Sequence, residues 1–392
     1  MEKSLDRKIA RILQDRSCND FILADAKDAD MAFGLSAPGM SPEQHGSEAK
    51  FRTIEEYRNI IREIIDQGLV DIMLMSNSTS EILTIKERRF VNSTITPAIR
   101  ANDATDIWLA GGEGIYGSVP SRPFQTATLD HALCGKSYCT KAEREAKIGA
   151  DLGLYSITFN NNPETDYEAL MSYKAFRLEA EAKGFRHFLE VFSPNACGAH
   201  CPTDIPKFVN DHIARTLAGV TSAGRPLFLK IPYYGPKAME ALVRYDSQVV
   251  VGILGGSAGT TLDAFQMLHD AKKYGARVAL YGRKINSAEH QTTFIKYLRA
   301  IADSEIEPIE AVKAYHADLE RLHIRPKRSL KDDLTSMETS DSYNAQSKPT
   351  NASKKTTSTA SKNVFAVDLP DFSKMTTAEK VQWNLERIRR SM

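Results

Sequence analysis

Short apolar runs alternate with amphipathic helical patterns from the start of the chain to about residue 326. A strand buried on both faces of a parallel sheet is a continuous apolar run in sequence, whereas an amphipathic helix repeats its apolar residues every three to four positions. The runs that predict strands are 21–25, 70–75, 106–110, 154–159, 187–192, 225–234, 248–254 and 277–281. Strands that alternate with helices in this number predict an α/β fold, a (β/α)8 TIM barrel. An open doubly wound sheet is the alternative, but no Gly-x-Gly-x-x-Gly follows the first run.

The segments between these runs carry helix signals. Thr53 and Glu56 form a capping-box pattern, and Gly68 marks the end of the helix that they begin. Further helices are predicted at 5–13, 166–183, 261–273 and 308–323.

The chain changes character after the predicted barrel domain, residues 1–326. Residues 327–363 are rich in Ser, Thr, Lys and Asn, and their few apolar side chains predict a flexible low-complexity linker. Apolar residues return in 364–392, where Val381 and Leu385 lie on one face of a predicted amphipathic helix. A single short helix is marginal in water, so we expect this C-terminal segment to dock on a protein surface.

The composition is that of an ordinary globular protein and excludes several classes of partner. A formal net charge of +1 predicts no general attraction to nucleic acid or to a membrane surface. No apolar stretch reaches the roughly 18 residues of a membrane-spanning helix, and residues 1–8 lack the apolar core of a secretory signal. We therefore expect a cytoplasmic protein, and we expect it to form a homo-oligomer.

The chain contains 5 cysteines. An odd and sparse set predicts reduced thiols in a cytoplasmic protein. Cys134 and Cys139, together with Cys197, His200 and Cys201, carry enough soft ligands for zinc. Their spacings differ from the Cys-x2-Cys pairs of most zinc sites, so we expect no metal.

Lys230 is the residue that says most about chemistry, because it lies within the apolar run 225–234. A lysine in a buried strand is desolvated, and a desolvated amine is a nucleophile toward carbonyl carbons. The alternative is a lysine whose stem packs at the strand end while its amine reaches water. Glycine-containing loops follow the next two runs, and this order suggests Schiff-base chemistry on a phosphorylated carbonyl compound.

The loops after the seventh and eighth predicted strands have the composition of a phosphate site. Glycine lets backbone N–H groups approach an anion, and arginine binds phosphate oxygens through several donors. TIM barrels frequently bind phosphate in these two loops. The predicted phosphate-binding residues are Gly255, Gly256, Ser257, Gly282 and Arg283. The alternative is that these glycines only make tight turns.

Asp25 and Glu190 lie near the carboxyl ends of the first and fifth runs, where a barrel carries its function. We expect these two carboxylates to move protons beside an iminium. The alternatives are a loop cap for Asp25 and a salt bridge for Glu190. Arg122, in the long loop after the third run, is placed to hold the far end of a substrate unless it is a solvated surface residue.

These features resemble those of class I aldolases in the group that contains DeoC, LacD and the archaeal-type fructose-bisphosphate aldolases. The resemblance is best over residues 149–302. The motifs that carry it are Gly149-Ala-Asp151, Asn160-Asn-Asn-Pro-Glu-Thr, Lys230, Gly255-Gly-Ser257 and Gly282-Arg283, together with Ile22-Leu-Ala-Asp25 in the first strand. Glu190 is similar to the strand-five glutamate of the tagatose-bisphosphate branch. Phe192 stands where the fructose branch has a tyrosine, and Leu154 where the tagatose branch has a lysine.

The resemblance implies a lyase that needs no cofactor. Such an enzyme cleaves or forms a carbon–carbon bond in a phosphorylated keto sugar similar to fructose or tagatose bisphosphate. Lys230 would form the Schiff base, and Asp25 or Glu190 would move the proton. The alternatives are an isomerase or acyl transferase on the same barrel, and a phosphosugar-binding regulator that has lost catalysis.

Overall fold

Eight parallel strands close a barrel in the computed structural model, which describes residues 1–40, 51–109, 115–256 and 259–337. The strands are β1 Ile22–Lys27, β2 Ile72–Met75, β3 Thr96–Arg100, β4 Leu152–Thr158, β5 Arg186–Phe192, β6 Leu229–Ile231, β7 Val251–Leu254 and β8 Val278–Tyr281. Each strand pairs with the next in chain order, and β8 pairs with β1 to close the barrel. The prediction of a (β/α)8 TIM barrel is therefore confirmed.

Helices surround the barrel and connect its strands. The α-helices are Ser4–Gln14, Asp30–Phe33, Ile54–Gln67, Asn77–Ser80, Leu129–Cys134, Lys141–Glu145, Pro163–Lys183, Ile205–Ala218, Pro236–Tyr245, Thr261–Lys273, Arg283–Asn286, Gln291–Ala302, Pro308–Arg321 and Leu330–Asp333. The predicted capping box of Thr53 and Glu56 is present, and Gly68 ends that helix in the left-handed conformation. Across the described ranges, we find no helix with the length and apolar content needed to span a bilayer.

The third strand lies earlier in the chain than predicted. The structure places β3 at Thr96–Arg100, whereas residues 106–109 of the predicted run 106–110 lie in the following loop, which includes the 3-10 helix Ile107–Leu109. The apolar-run criterion fails here because β3 carries Thr96, Pro97 and Arg100, yet all five of its residues are buried. The loop between β3 and β4 is correspondingly long, and it contains a short antiparallel pair, Asp103–Ala104 with Pro123–Phe124.

The inside of the barrel is apolar at its amino end and polar at its carboxyl end. The N-terminal helix closes the amino end, where Leu5 and Ile12 belong to one buried cluster with the inward-facing residues of the strands. Those strand residues include Ile22, Ala24, Ile72, Leu74, Ala98, Leu152, Leu154, Phe188, Val278 and Leu280, and Phe228, just before β6, belongs to the same cluster. Because strand side chains alternate between faces, the next inward positions toward the carboxyl ends belong to the polar residues described below. The core thus forms a floor beneath them.

Ordered structure continues past the predicted domain boundary at 326. The short helix Leu330–Asp333 lies against the barrel, where the Asp333 carboxylate accepts a hydrogen bond from the Thr261 backbone N–H at 2.7 Å and pairs with His316 Nε2 at 2.9 Å. Because these contacts are polar, the pattern of apolar residues in the sequence does not predict them. The rest of the predicted linker, 338–363, and the predicted docking segment 364–392 lie outside the described residues.

We expect Gly255→Ala to destabilise the fold. A Cβ atom at Gly255 would lie 2.3 Å from the ring of Tyr281. That ring is fully buried, and its hydroxyl donates a hydrogen bond to the Ala264 carbonyl at 2.7 Å, so it has little room to move. Overpacking of this kind costs about 1–3 kcal/mol in the free energy of unfolding, which chemical denaturation measures.

Gly219→Ala is the matched control. Gly219 has a φ of −87°, and no heavy atom lies within 4 Å of the position that a Cβ atom would take there. The free energy of unfolding should therefore change by no more than about 0.5 kcal/mol. Equal effects of the two substitutions would contradict the packing argument at Gly255.

Candidate active site

Lys230 and Glu190 form an ion pair inside the carboxyl end of the barrel. They are neighbours in the register of β6 and β5, and Lys230 Nζ lies 2.5 Å from Glu190 Oε1. The exposed fractions of the two side chains are 4% and 0%. The predicted burial of Lys230 is therefore observed, and its amine does not reach water. A buried ion pair of this kind is costly to break, because the remaining partner becomes an uncompensated charge.

The second oxygen of Glu190 contacts a network built by β3 and β4. Ser156 Oγ donates a hydrogen bond to Glu190 Oε2 at 2.7 Å, and Arg100 Nη2 lies 3.6 Å from the same oxygen. The Asn102 side chain fixes the backbone of Ser156, since its Oδ1 accepts from Ser156 N–H at 2.6 Å and its Nδ2 donates to Ser156 C=O at 2.9 Å. Glu190 is therefore held from both sides. Leu154, the strand-four position singled out in the sequence, lies deeper in the apolar floor.

Arg100 connects Glu190 to the first strand. Its guanidinium is almost fully buried, with Nε 2.5 Å from Asp28 Oδ2 and Nη1 donating to Ser156 Oγ at 3.1 Å. A planar guanidinium offers several donors in fixed directions and can therefore bridge several acceptors. The sequence does not reveal Arg100, because the apolar-run criterion places the third strand in the wrong segment. The only signal is a charged residue that follows Pro-Ala-Ile.

Asp28, which directly follows β1, lines the cavity with Lys230, and Asp25 within β1 does not. Strand β1 extends to Lys27, and its side chains alternate between the inside and the outside of the barrel. Ala24 and Ala26 point inward. Asp25 and Lys27 point outward and form a fully buried ion pair at 3.1 Å. The prediction that placed Asp25 beside the iminium therefore does not agree with the geometry.

The outward pair is supported by helices rather than by the site. Lys27 Nζ donates to Asn286 Oδ1 at 2.5 Å and to Gln291 Oε1 at 2.7 Å. Burial raises the pKa of Asp25 to about 6, although the nearby Lys27 charge opposes this rise. Burial also lowers the pKa of Lys27, against the opposing effect of Asp25. The pair joins the strand to its surrounding helices.

A small cavity lies above the amine of Lys230. It is lined by Ala26, Asp28, Ala29, Ala32, Phe33, Arg100, Lys230, Leu254, Gly255, Gly256, Leu280, Gly282 and Arg283. Its volume of about 30 Å³ leaves room for roughly one water molecule. The cavity is therefore smaller than a sugar phosphate in this structure.

Apolar side chains from four barrel loops and strand ends pack together, and three of them, Ala32, Phe33 and Leu254, line the cavity. Ala32, Ala104, Ile107, Phe192 and Leu254 form one buried cluster, and Phe33 packs against it. We call these six residues the apolar cap. Phe192 thus contributes an apolar packing surface here.

The predicted phosphate residues meet at the same cavity, but one of their backbone donors is already engaged. Gly255, Gly256, Gly282 and Arg283 line it, and Ser257 lies outside the described residues. The Gly255 N–H donates to the Leu280 carbonyl at 2.7 Å, so this group is already used in the barrel. The guanidinium carbon of Arg283 lies 5.9 Å from the centre of the Phe33 ring. Gly256, Gly282 and Arg283 line the same cavity, and phosphate binding by these residues stays a prediction.

Lys284 connects these two loops, and no sequence motif predicts this role. Its Nζ donates to the carbonyls of Gly259 at 2.8 Å and Thr260 at 3.0 Å. Burial lowers the pKa of Lys284 to about 8, with a further lowering by the nearby Arg328. The contact ties the loop after β7 to the short helix after β8.

The loop after β3 carries two buried carboxylates, those of Asp103 and Asp106, on the side of the barrel opposite β7 and β8. Asp106 accepts hydrogen bonds from Thr158 Oγ1 at 3.0 Å and Ser121 Oγ at 2.7 Å, and burial raises its pKa. Asp103 accepts from the Trp108 indole N–H at 3.1 Å. Burial raises the pKa of Asp103 to about 6, although Arg100 opposes the rise.

Arg122 does not reach this region. Its side chain is 60% exposed and lies 3.5 Å from Glu168 on the helix Pro163–Lys183. The structure therefore agrees with the alternative of a surface arginine.

The cysteines form two local disulfides, Cys134–Cys139 and Cys197–Cys201, while Cys18 is free. The prediction of reduced thiols is therefore wrong for these four residues. Each pair is brought together by a local turn, with Cα separations of 6.2 and 4.5 Å. Neither pair lines the cavity. The described part of the chain also contains no group of three or more His, Cys, Asp or Glu residues arranged to hold a metal ion.

No family model and no curated protein match this chain. Solved structures do resemble it. An archaeal fructose 1,6-bisphosphate aldolase has a TM-score of 0.51 and 14% identity, with coverage of 77% of this chain and 100% of that one. An archaeal fructose-1,6-bisphosphate aldolase whose catalytic lysine is bound to the carbinolamine intermediate has a TM-score of 0.53 and 14% identity, over 76% of this chain and 100% of that one.

A protein of Corynebacterium glutamicum is similar to the same extent, with a TM-score of 0.51 and 14% identity over 77% of this chain and 94% of that one. Identities this low show a shared fold and leave the chemistry to the residues of the site. The chain therefore has the barrel fold that is found in archaeal Schiff-base fructose-1,6-bisphosphate aldolases.

Proposed function

We propose that this protein is a class I aldolase, a lyase that forms a Schiff base between Lys230 and a phosphorylated keto sugar. The observation that carries the proposal is the water-shielded amine of Lys230, 2.5 Å from Glu190, in one cavity with Asp28 and Arg283. An amine, a base in contact with it, a second carboxylate and loops suited to an anion are the groups that the reaction needs.

Imine formation uses the contact between Lys230 and Glu190. Glu190 accepts a proton from the ammonium, and the free amine attacks the ketone carbon as the carbonyl electrons move to oxygen. The attached nitrogen gives up a proton and that oxygen takes one up, which gives a neutral carbinolamine. A second proton converts it to water, which leaves as the nitrogen lone pair forms the iminium.

Carbon–carbon cleavage uses the iminium as the electron acceptor. A carboxylate removes the proton from the hydroxyl that lies two carbons from the iminium carbon. The carbon–carbon bond then breaks, its electrons form the double bond of an enamine on Lys230, and the hydroxyl carbon becomes an aldehyde. Protonation of the enamine and addition of water release the ketone and restore the amine.

Asp28 is the carboxylate that we assign to the cleavage step. It lines the cavity, and the 2.5 Å contact with Arg100 fixes its direction. Glu190 already contacts Lys230 and Ser156, so it suits the proton transfers at the nitrogen. The apolar cap would keep bulk water away from the enamine, which would otherwise be protonated early.

Substitution Lys230→Met should abolish covalent trapping, because the thioether keeps bulk but has no nucleophilic amine. We expect borohydride to fix one adduct on the wild-type protein in the presence of dihydroxyacetone phosphate, and no adduct on the variant, by intact mass. Lys237→Met, at an exposed lysine on the helix after β6, is the control and should trap normally. An adduct on Lys230→Met would refute the assignment. Phosphosugar binding by a wild-type protein that forms no adduct would favour the regulator.

The two first-strand aspartates should behave differently. We expect Asp28→Asn to lower kcat by about 10²–10⁴-fold, the usual contribution of a general acid or base. Asp25→Asn should retain kcat but lose about 3 kcal/mol of stability, because it leaves the buried Lys27 without its counter-charge. Steady-state kinetics and denaturation on both variants check this. A kcat loss confined to Asp25→Asn would reverse the assignment.

Arg283 should contribute to the binding of a phosphate group. Inorganic phosphate or glycerol phosphate that binds only the native protein raises its Tm. Arg283→Ala should weaken this binding by about 1.5–3 kcal/mol, the range for hydrogen bonds to charged groups. Arg244→Ala, at an exposed arginine on the helix Pro236–Tyr245, is the control. The same Tm shift in all three proteins would place the phosphate elsewhere.

A further inference from the structure

The helix Pro163–Lys183 is apolar on two opposite faces. Its inward face packs on the barrel, where the rings of Tyr173 and Phe176 have their centres 5.1 and 4.5 Å from that of Tyr155 on β4. Its outward face is a row of exposed positions that repeats every three to four residues. We call this row the outer stripe, and its members are Pro163, Glu164, Tyr167, Leu170, Met171, Lys174, Ala175, Leu178, Glu181 and Ala182.

The outer stripe differs from the exposed faces of the other helices around the barrel. It carries four large apolar side chains that are exposed, among them Tyr167 at 65% and Leu178 at 58%. Elsewhere in the described ranges, no helix exposes more than one large apolar residue. An apolar patch of this kind on a surface marks a site of interaction with another molecule. On the helix Ile54–Gln67, by contrast, the exposed positions after the first residue are Glu55, Asn59, Glu63 and Asp66.

The charges in the outer stripe indicate which partner covers it. Lys174 is its one basic residue, and Glu164 is an exposed acidic residue nearer the start of the helix. Ten residues separate the two, about 15 Å along the helix axis, so they cannot pair on the same helix. A second helix that runs antiparallel to the first would bring such a pair together. The outer stripe of another copy of this chain offers the required charges.

Two copies of the helix related by a two-fold axis run antiparallel, and residues at equal distances on opposite sides of the axis face each other. With the axis between Leu170 and Met171, these two side chains meet their counterparts at the centre. Lys174 then faces Tyr167 of the other copy, where the lysine stem can cover the aromatic ring. Its ammonium reaches Glu164 one helical turn further on. Symmetry forms each of these contacts twice, so the outer stripe is complementary to itself.

We propose that the outer stripe is a two-fold interface between two copies of this chain, formed by antiparallel packing of their Pro163–Lys183 helices. The helix has 21 residues and is therefore about 30 Å long, so apolar contacts extend over several turns. Removal of these side chains from water drives the association, and the paired charges set its register. No residue of the outer stripe lines the cavity that contains Lys230. The pairing is therefore independent of the proposed function.

Sedimentation velocity of the full chain over a series of concentrations tests the interface. We expect the wild-type chain to form a dimer, and we expect Met171→Glu to raise the dissociation constant of that dimer at least about a hundredfold. Two carboxylates placed near the axis would lose water without gaining a partner. Ile309→Glu, at the exposed isoleucine of the helix Pro308–Arg321, is the matched control and should stay dimeric. A monomeric wild type, or a dimer that Met171→Glu leaves intact, would overturn the proposal.

Reversal of the paired charges tests the register of the two helices. Lys174→Glu places like charges together twice in each dimer and should raise its dissociation constant by roughly tenfold. Addition of Glu164→Lys restores opposite charges and should recover most of the lost affinity. Glu168, the neighbouring acidic residue, already lies 3.5 Å from Arg122 of its own chain. Losses that add in the double variant would contradict the proposed pairing.

Discussion

The buried guanidinium of Arg100 holds together the carboxyl end of this barrel. It contacts Asp28, directly after β1, and Ser156 on β4. At longer range it contacts Glu190 on β5. Three strand ends are therefore joined through one side chain, and the ion pair of Lys230 with Glu190 extends the network to β6. Charges so far from water are tolerated only when every one has a partner. This requirement fixes where each functional group points.

The sequence is sufficient to predict the fold and the lysine, but not the arrangement around it. Alternation of apolar runs with helices predicts the barrel, and burial of Lys230 follows from its run. The apolar-run rule misses β3 because Arg100 and Pro97 interrupt it, and the arginine is buried only through partners that are distant in sequence. The sequence predicts Asp25 rather than Asp28 as the carboxylate in the site, because it does not define where β1 ends. The end of the strand determines which residues face inward.

The glycines after β7 show how one residue type can serve two demands. Packing requires glycine at position 255, because the Tyr281 ring occupies the space that a side chain would take. The Gly255 backbone N–H donates a hydrogen bond to the Leu280 carbonyl of the barrel. Gly256 adopts a positive φ of 54° and lines the cavity. A glycine-rich motif therefore combines a structural and a candidate ligand-binding position, and sequence alone cannot separate them. Long-range polar contacts, such as Asp333 with Thr261, are equally invisible in composition.

The apolar cap affects the rate at which a ligand can enter the site. A cavity of about 30 Å³ is smaller than a sugar phosphate, so we expect lining side chains such as Phe33 to move as a ligand reaches Lys230. Opening exposes apolar surface to water, which makes the open form a minor population in the absence of ligand. We therefore expect association to be limited by this movement, with an observed rate that reaches a plateau as ligand concentration rises. Hydrophobic packing of the lining residues would then set the barrier to entry.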